Sequence, residues 1–385
     1  MEETVPRNLA TGIKRDQRSI RVLFVIPDFI LGGAGFVVST YIRELDREHF
    51  DVGVCVWRGE CDYKLPDAVP VWNVHKRQPW ESPGCILRTA RLLRWWQPDI
   101  VFSHLHFTNL ITGLALRIAR MSCHWVPCLH NDPENINAIW KNWAMRGLWQ
   151  YATRVCTVSR GVAEGLQDRF NVPANKTKVI YNPIDFGSID AALKTRRPNG
   201  WPSSQIVTVG RLKAQKDQAT LLRAFAQLRQ RMEARLTVVG SGPLQRELKD
   251  LATKLEIKDY VNFAGSCANP FPLIADADIF VLSSRWEGFG CVLAEAMGCG
   301  TACISTNCPY GPAEIIEDGE SGLLVPVGDV SALAESIARL LKDKRMRTKL
   351  ASAGNRRARR LFGLQRRVNA LERLFKRIQE KPETH

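Results

Sequence analysis

The sequence predicts an α/β fold with two doubly wound parallel sheets, one in each half of the 385-residue chain. Three observations support this prediction. Short apolar runs alternate with amphipathic helical windows, glycine turns follow several of the runs, and the alternation stops once and then resumes. A chain of this length is too long for one typical core and about right for two. Parallel sheets of this type bind ligands at the carboxyl ends of their strands.

Six apolar runs in the first half have the length and composition of strands buried on both faces. Helical windows such as Phe36–Leu45 and Asn109–Ala119 separate them. We expect a Rossmann-like first domain at 18–190, with the C-terminal helical segment, 364–385, packing back on it. The six predicted strands are Val22–Ile26, Val52–Val56, Ile100–Ser103, Trp125–Leu129, Val155–Val158 and Val179–Tyr181.

A stretch rich in Pro, Gly, Arg and Ser interrupts this alternation and forms the predicted linker, 191–204. The alternation then resumes in a second Rossmann-like domain at 205–360. Its predicted strands are Ile206–Val209, Leu236–Val239, Val261–Ala264, Ile279–Leu282, Thr301–Ser305 and Gly322–Val327. Two such sheets that face each other would hold ligands in the cleft between the domains.

A glycine turn in the second half carries two carboxylates. Glu287 and Glu295, eight positions apart, flank Gly288-Phe289-Gly290, which follows an apolar strand and opens a predicted helix. The glycines allow close approach to backbone amides, and a helix start offers unsatisfied N–H donors. Two acceptors at different depths suit a long polyhydroxylated ligand. The alternative is a solvated helix with two ordinary surface glutamates.

A second glycine turn carries two cations. The run Ile206–Val209 ends at Gly210, followed by Arg211 and Lys216, and a predicted helix begins at Gln218. Two cations beside a helix N-terminus provide the charge-assisted contacts that a diphosphate requires. The alternative is a basic surface loop. A further turn, Gly240-Ser241-Gly242, closes another predicted strand.

Together these segments resemble glycosyltransferase family 4, a group of retaining, nucleotide-sugar-dependent enzymes with the two-domain GT-B fold. The resemblance covers about residues 20–327, and the ordered set of motifs is far more specific than any one of them. Its motifs are Gly32-Gly33, His104-Leu105-His106, His130-Asn131, Thr157–Ser159, Ile180–Asp185, Gly210–Leu212 with Lys216, Gly240–Gly242 and Glu287–Glu295.

The resemblance implies that a nucleoside diphosphate sugar binds mainly to the second domain. Glu295 would accept the ribose hydroxyls, Arg211 and Lys216 would hold the diphosphate, and Glu287 would contact the sugar. The implied catalytic residues are His130, Arg211, Lys216 and Glu287. The implied donor-binding residues are Gly33, Asn182, Gly210, Arg211, Lys216, Gly240, Glu287, Gly288, Phe289, Gly290 and Glu295.

Two competing chemistries fit the sequence less well. The turn Gly33-Ala34-Gly35 lacks the third glycine of the dinucleotide fingerprint, where Val38 stands, so NAD is not expected. Many family members carry Glu and Arg where this chain has Gly35 and Phe36, which removes an acidic residue there. Asp276-Ala277-Asp278 spells a metal-binding D-x-D, but at the wrong end of its predicted strand. We expect no cofactor and no metal, with Arg211 and Lys216 in the place of a cation.

Charge and aromatic residues bear on the acceptor. The net charge is +15, and residues 341–385 hold 15 Lys or Arg against 4 Asp or Glu. Basic and Trp-rich helices suit an anionic membrane surface. A solvated cationic tail is the alternative at the C-terminus. The candidate acceptor or membrane residues are Arg88, Arg91, Arg94, Trp95, Trp140 and Trp143.

Similar family members glycosylate lipid-linked intermediates of cell-surface polysaccharides, such as lipopolysaccharide or capsule, at the inner face of the cytoplasmic membrane. Eleven cysteines without a C-x2-C pair and no strongly apolar leader favour a cytoplasmic protein, peripheral on that membrane. The segment Asn307–Ile316 resembles a variant found with UDP-sugars, so a hexose or N-acetylhexosamine from UDP is expected. The alternatives are a UDP-sugar epimerase or phosphorylase, and a non-catalytic nucleic-acid-binding protein.

Overall fold

The computed structural model describes residues 19–29, 33–58, 63–75, 81–131, 147–194 and 204–380. These residues form two compact units. Unit 1 holds the described residues up to Pro183 together with those from Gln365 onward, and unit 2 holds Ile184–Leu364. Each unit is built on one parallel sheet.

Unit 1 contains seven strands and five described helices. The strands are β1 Ile20–Ile26, β2 Phe50–Val56, β3 Val71–Asn73, β4 Ile100–His104, β5 His124–Leu129, β6 Val155–Thr157 and β7 Thr177–Val179. The helices are α1 Gly33–Glu44, α2 Ser82–Trp96, α3 His106–Ala119, α4 Arg160–Phe170 and α13 Leu364–Gln379. The sheet order is β3-β2-β1-β4-β5-β6-β7, and all pairs are parallel. In β1, residues 22–25 are fully buried, which accounts for the continuous apolar run.

Unit 2 contains six strands and eight described helices. The strands are β8 Ser204–Val209, β9 Ala234–Val239, β10 Val261–Gly265, β11 Ile279–Leu282, β12 Ala302–Thr306 and β13 Leu323–Val325. The helices are α5 Phe186–Lys194, α6 Gln218–Arg229, α7 Gln245–Lys254, α8 Phe271–Asp276, α9 Cys291–Gly298, α10 Pro312–Ile315, α11 Val330–Lys342 and α12 Lys344–Phe362. The sheet order is β10-β9-β8-β11-β12-β13, again parallel throughout.

The strand order reverses once in each sheet, between β1 and β4 in unit 1 and between β8 and β11 in unit 2. At such a switch point the loops that follow the two strands leave in opposite directions and open a crevice at the carboxyl edge of the sheet. The predicted fold class, two doubly wound parallel-sheet domains, is therefore confirmed. It also fixes where ligands are expected in each unit.

The C-terminal helix α13 belongs to unit 1. Its Phe375 ring is fully buried and lies 6.1 Å from the ring centre of Phe50 and 5.3 Å from that of Phe102. Helix α5 belongs to unit 2 instead of the predicted first domain, because Phe186 packs directly against Gly298. The predicted boundary at residue 190 therefore lies seven residues beyond the end of unit 1 at Pro183.

Two strand predictions in unit 1 differ from the structure. The short strand β3 was not predicted, since three residues flanked by loops give little periodic signal. β7 begins two residues before the predicted Val179–Tyr181, because its ladder pairs Val155 with Thr177 and ends at Val179. Most other predicted strands differ from the observed ones by one or two residues at their ends.

Within the described ranges, none of the helices combines the length and the apolar composition that crossing a bilayer requires.

Candidate functional site

The central feature of unit 2 is a buried ion pair at the switch point of its sheet. Lys216, in the loop after β8, places Nζ 2.5 Å from Oε1 of Glu287, in the loop after β11. Ser284 Oγ donates to the same carboxylate oxygen at 2.6 Å. The two charged side chains are only 16% and 7% exposed. The ion pair therefore lies at the carboxyl edge of the sheet, where a ligand is expected.

The loops after β8 and β11 are bonded to each other as well. Gln215 Nε2 donates to the Trp286 carbonyl at 2.9 Å, and the Arg285 amide donates to the Gln215 carbonyl at 2.8 Å. Ser283 Oγ donates to the Lys216 carbonyl at 2.9 Å. These bonds hold the backbone on both sides of the ion pair, so the charges are fixed before a ligand arrives.

A third loop, 307–311, packs against Glu287. The Glu287 amide donates to the Pro309 carbonyl at 2.8 Å, and the Tyr310 amide donates to the Glu287 carbonyl at 3.0 Å. A Cβ on Gly311 would lie 2.2 Å from the Phe289 carbonyl oxygen, so only glycine fits there. The segment that resembles the variant found with UDP-sugars, Asn307–Ile316, is thus bonded directly to the Glu287 loop.

The glycines of the turns after β8 and β9 allow these two turns to pack backbone to backbone. Gly240 has φ +136°, and a Cβ on it would lie 2.1 Å from the Gly210 carbonyl oxygen. The Leu212 amide donates to the Ser241 carbonyl at 2.9 Å. The path of the Arg211 loop therefore depends on the absence of a side chain at position 240.

We expect Gly240→Ala to lower the melting temperature by roughly 10 °C, since a backbone clash and a disfavoured φ together cost about 3 kcal/mol or more. Thermal unfolding checks this. Gly265→Ala is the matched control, because Gly265 also has a positive φ, +73°, but nothing lies within 4 Å of its added Cβ. Equal decreases in melting temperature in the two variants would show that the close contact between Gly240 and Gly210 does not contribute to stability.

Three cations lie in the loop after β8. Arg211 is exposed, and Lys213 lies between it and Lys216. Burial, followed by the charges of Lys216 and Arg211, lowers the pKa of Lys213, while Glu287 partly offsets this. Among the described residues, neither Arg211 nor Lys213 forms an ion pair, so of these three cations only Lys216 is paired with a carboxylate. The loop carries a local positive excess that an anionic ligand would neutralise.

Sequence analysis did not identify Lys213 as a site residue, although its position between Arg211 and Lys216 in one short turn indicated it.

Glu295 lies in the second turn of α9, which begins after Gly290 in a left-handed conformation, φ +96°. Burial raises the pKa of Glu295 to about 7, and the Lys216 charge acts in the opposite direction. Glu295 forms no ion pair with any residue that the structure describes. A carboxyl group with this pKa can change its protonation state when a ligand binds near neutral pH.

The structure brings most of the predicted donor-binding residues together. Nine of them lie at the carboxyl edge of the unit 2 sheet: Gly210, Arg211, Lys216, Gly240, Glu287, Gly288, Phe289, Gly290 and Glu295. Within that set the Phe289 ring is buried against Phe362, 5.1 Å between ring centres, so its backbone is the part available to a ligand. Three other predicted residues belong to unit 1: Gly33, Asn182 and His130.

Two buried histidines form a hydrogen-bonded pair in unit 1. His104 ends β4, His130 follows β5, and His104 Nδ1 lies 2.9 Å from His130 Nε2. Burial, followed by the nearby His130, lowers the pKa of His104 well below its ordinary value. Burial also lowers the pKa of His130 to about 4. Both rings are therefore neutral near pH 7, and one must donate while the other accepts.

The surroundings of His104 favour one proton arrangement. His104 Nε2 is buried and has no hydrogen-bond partner in the described part of the chain. An unpaired lone pair is tolerated there more readily than an orphaned N–H. His104 is then protonated on Nδ1 and donates to His130 Nε2, which leaves His130 with its proton on Nδ1. His130 thus becomes a neutral hydrogen-bond donor with a fixed tautomer.

Cys128 completes a cluster whose potential ligand atoms lie within 4.8 Å of one another, with His104 and His130. Burial raises the pKa of the Cys128 thiol well above its ordinary value, so the free thiol is protonated near neutral pH. Two nitrogens on one tetrahedral zinc would also be about 3.3 Å apart, given Zn–N bonds of about 2.0 Å. The direct contact at 2.9 Å is instead a hydrogen bond.

Asp278, the last residue of the D-x-D sequence, forms a hydrogen bond and an ion pair within unit 2. Asp278 Oδ2 accepts from the Gln205 amide at 3.0 Å, and its Oδ1 lies 3.0 Å from Arg347 Nη2. Both contacts are at the start of β8 and β11, the amino edge of the sheet. Asp278 therefore ties α12 to that edge.

The candidate membrane residues Arg88, Arg91 and Arg94 lie on α2, but two of these arginines are engaged. Arg88 Nε donates to the Val74 carbonyl at 2.6 Å, and Arg94 Nε donates to the Ala119 carbonyl at 3.0 Å. Arg91 is exposed. The Trp95 ring packs edge-on against Trp72, with ring centres 5.7 Å apart.

Two of the remaining predicted residues have clear positions in unit 1. Gly33 begins α1 and is exposed, and Asn182 is 6% exposed. Trp140 and Trp143 lie outside the described residues.

Comparisons with known proteins agree with this architecture. The family models described as "Glycosyl transferases group 1" and "Glycosyltransferase Family 4" match residues 194–357 and 31–187. The chain is 28% identical to the N-acetylgalactosamine-N,N'-diacetylbacillosaminyl-diphospho-undecaprenol 4-alpha-N-acetylgalactosaminyltransferase of Campylobacter jejuni, over 82% of this chain and 88% of that protein. It is 29% identical to the lipopolysaccharide core biosynthesis glycosyltransferase LpsE of Rhizobium meliloti, over 68% and 82%.

Among solved structures, Anabaena Alr3699/HepE in complex with UDP is similar at a TM-score of 0.78 and 21% identity, with 93% of this chain and 100% of that chain covered. The chain belongs to glycosyltransferase family 4 and has the GT-B fold.

Proposed function

We propose that this glycosyltransferase moves a hexose or N-acetylhexosamine from a UDP-sugar to a lipid-linked glycan, with retention at the anomeric carbon. The proposed setting is the synthesis of lipopolysaccharide, capsule or exopolysaccharide at the inner face of the cytoplasmic membrane. The observation that carries the proposal is the fixed Lys216–Glu287 pair with Arg211 and Lys213 beside it. The names of the similar proteins, which include a diphospho-undecaprenol acceptor and a UDP complex, support the choice of substrates.

The cations act on the leaving group. As the glycosidic bond breaks, negative charge grows on the departing UDP phosphate. Lys216, which Glu287 holds in place, and the neighbouring Arg211 and Lys213 stabilise this charge more in the transition state than in the ground state. This arrangement supplies the charge that a divalent cation would otherwise provide, and we propose that turnover requires no metal.

Glu287 is suited to hold the transferred sugar. Its Oε1 is engaged by Lys216 and Ser284, so Oε2 is the atom that we assign to a sugar hydroxyl. The backbone amides of Phe289 and Gly290 are the proposed donors beside it. Glu295 is proposed to accept from the ribose hydroxyls. The Lys216–Glu287 ion pair would then contact both the diphosphate and a sugar hydroxyl. The glycosidic bond, which lies between these two groups, would be held in place.

For retention, we propose that the acceptor hydroxyl attacks from the face that the phosphate leaves, and that this phosphate accepts the proton. No protein base is then needed. With a pKa of about 4, His130 is neutral near pH 7 and suited to donate a hydrogen bond more than to move protons. We propose that His130 positions the reacting sugar through that donor.

If His104 fixes the tautomer of His130, His104→Phe should lower kcat about 10- to 100-fold with little change in the KM for the donor. Phenylalanine fills the same space but cannot donate to His130. His104→Asn restores an N–H donor and should recover part of the rate. A loss of rate that both variants share would mean that His104 acts by packing alone.

The function is tested with purified protein, a panel of nucleotide sugars and diphospho-undecaprenol-linked acceptors, with and without EDTA. The expected result is acceptor-dependent transfer from a UDP-sugar that EDTA does not slow, giving a product whose anomeric configuration, read by NMR, matches the donor. Inversion would overturn the proposed stereochemistry, and loss of turnover with EDTA would overturn metal independence. Conversion of the donor without acceptor would indicate an epimerase or phosphorylase instead.

A further inference from the structure

Unit 1 contains a large open groove outside the site described above. Its volume is about 950 Å³. Five cations line it, and they come from three parts of the chain: Arg154 before β6, Lys176 and Lys178 at β7, and Arg373 and Arg377 on α13. No aspartate or glutamate is among the lining residues. The groove, here called the basic groove, is therefore positive along both walls.

These charges are not neutralised within the described part of the chain. None of the five cations forms an ion pair there. The acidic residue nearest to them on α13, Glu372, instead accepts a hydrogen bond from the Asp46 amide at 3.0 Å. Burial, followed by the charge of Arg154, lowers the pKa of Lys176. Like charges held this close favour an anion between them.

The basic groove lies at the amino edge of the unit 1 sheet. Its lining residues include His124 and Thr177, the first residues of β5 and β7. The histidine pair lies at the carboxyl ends of β4 and β5, the opposite edge. In a parallel sheet the two edges are separated by the length of the strands. The basic groove is therefore a separate site.

An apolar pocket adjoins the basic groove. Its volume is about 350 Å³, and it shares Gln150 and Lys176 with the groove. Its other lining residues are Trp149, Phe170 and Val172, each at most 3% exposed at the floor, and the exposed Asn171 and Pro173. A cationic surface that continues into an apolar one matches a ligand with a phosphate at one end and hydrocarbon at the other.

We propose that the basic groove binds the phosphate headgroups of anionic phospholipids and attaches unit 1 to the bilayer through the amino edge of its sheet. This inference rests on the membrane association in the proposed function and names the surface that makes the contact. It does not depend on the sugar-transfer chemistry. It also assigns the contact to α13 and β7 instead of α2. Arg88 and Arg94 on α2 bond to carbonyls, as do Arg154 and Lys176 in the groove. Arg373 and Arg377 on α13 have no hydrogen-bond partner among the described residues.

The test measures flotation of the full chain with vesicles of phosphatidylcholine, with or without phosphatidylglycerol. Arg373→Ala/Arg377→Ala removes two exposed groove cations and should weaken binding to phosphatidylglycerol vesicles about 10- to 30-fold. Arg345→Ala/Lys349→Ala is the matched control, since it removes the same charge from exposed positions on α12 and should change binding less than threefold. UDP-induced thermal shifts of both variants should equal those of the parent, which shows that unit 2 is intact.

Four outcomes would overturn the inference: equal weakening by the two double variants, equal binding to neutral and anionic vesicles, no vesicle binding by the parent, or tighter groove-dependent binding of RNA than of vesicles. Glycerol phosphate distinguishes a headgroup in a membrane from a free phosphate. It should compete only weakly with vesicles, and full competition at micromolar concentration would assign the groove to a soluble phosphate. If UDP did not raise the melting temperature of the parent while flotation remained intact, the result would count against the proposed function and leave this inference standing.

Discussion

We expect Lys216→Ala to lower kcat about 10²- to 10³-fold, the loss typical of removing one fixed group that stabilises a developing anion. The ammonium lies in a site only 16% exposed, so water restores little of its effect. Arg211 and Lys213 remain in the variant and should keep the KM for the UDP-sugar within about tenfold. Steady-state kinetics at saturating acceptor separate the two parameters.

The same substitution should also destabilise the protein, because Glu287 would become a buried carboxylate with Ser284 as its only described side-chain donor. Breaking a buried ion pair in this way costs about 3–5 kcal/mol. The double variant Lys216→Met/Glu287→Gln removes both charges and should recover most of the stability but none of the activity. That contrast separates the catalytic effect from unfolding.

Arg285→Ala is the control for this experiment. Arg285 pairs with Asp217 at 3.2 Å in the same loops, but its side chain is 57% exposed. The Asp217 carboxylate is only 6% exposed, but Thr220 Oγ1 still donates to its Oδ2 at 2.9 Å in the variant. Because water already screens the arginine end of this pair, Arg285→Ala should lose less stability than Lys216→Ala. If Lys216→Ala proved as active as the parent, the leaving group would have to be stabilised by other residues.

Sequence analysis identified Lys216 and Glu287 but not their contact, which joins residues 71 positions apart. The motif spacing gave the ends of two strands, and only the strand order shows that β8 and β11 are neighbours. Once they are adjacent, the loops that follow them meet at the switch point. The bonds of Gln215 and Ser283 across these loops have no sequence signal, because polar side chains of this type are common in any loop.

The histidine pair shows the same limit. The motif His104-Leu105-His106 marked His104 as part of the family resemblance. It does not reveal that His104 holds the ring of His130, because that contact depends on β4 and β5 lying side by side. The sequence placed Arg88, Arg91 and Arg94 on one basic, Trp-rich helix, α2. Which carbonyls they meet depends on neighbouring elements, Val74 after β3 and Ala119 at the end of α3.

The basic groove was predictable from the sequence only in part, because some of its cations lie on one helix and others are brought together by the sheet. Its arginines on α13 follow from helical spacing, while Arg154 and Lys178 join them only because the amino ends of β6 and β7 are adjacent in the sheet. Net charge alone indicated an anionic partner. The position of the charges had to come from the fold.

Glu295→Gln is expected to weaken binding of UDP-glucose about 10- to 100-fold at pH 8, where the parent carboxyl is ionised and can accept charge-assisted bonds from the ribose. Because the pKa of Glu295 is about 7, affinity of the parent should fall as pH is lowered through 7. The variant should show no such dependence. Calorimetric titrations between pH 6 and pH 8.5 measure it, and UDP-glucose avoids the titration of a terminal phosphate.

The same carboxyl should make stability depend on pH in the opposite direction. Its folded pKa, about 7, is above the ordinary value of 4.5, so the fold favours the protonated form. The stabilisation is complete below pH 4.5 and is lost as pH rises through 7, by at most about 3 kcal/mol. Glu295→Gln stays neutral, so its melting temperature should match the parent near pH 5 and exceed it at pH 8.

Glu247→Gln is the control, the same chemical change at an exposed position on α7 of unit 2, and should alter neither profile. A parent whose melting temperature stays parallel to that of Glu295→Gln from pH 5 to pH 8 would show that Glu295 is not held in a site that disfavours its charge. Weaker ligand binding together with a more stable fold would instead mark Glu295 as a residue kept for the ligand at a cost to the free protein.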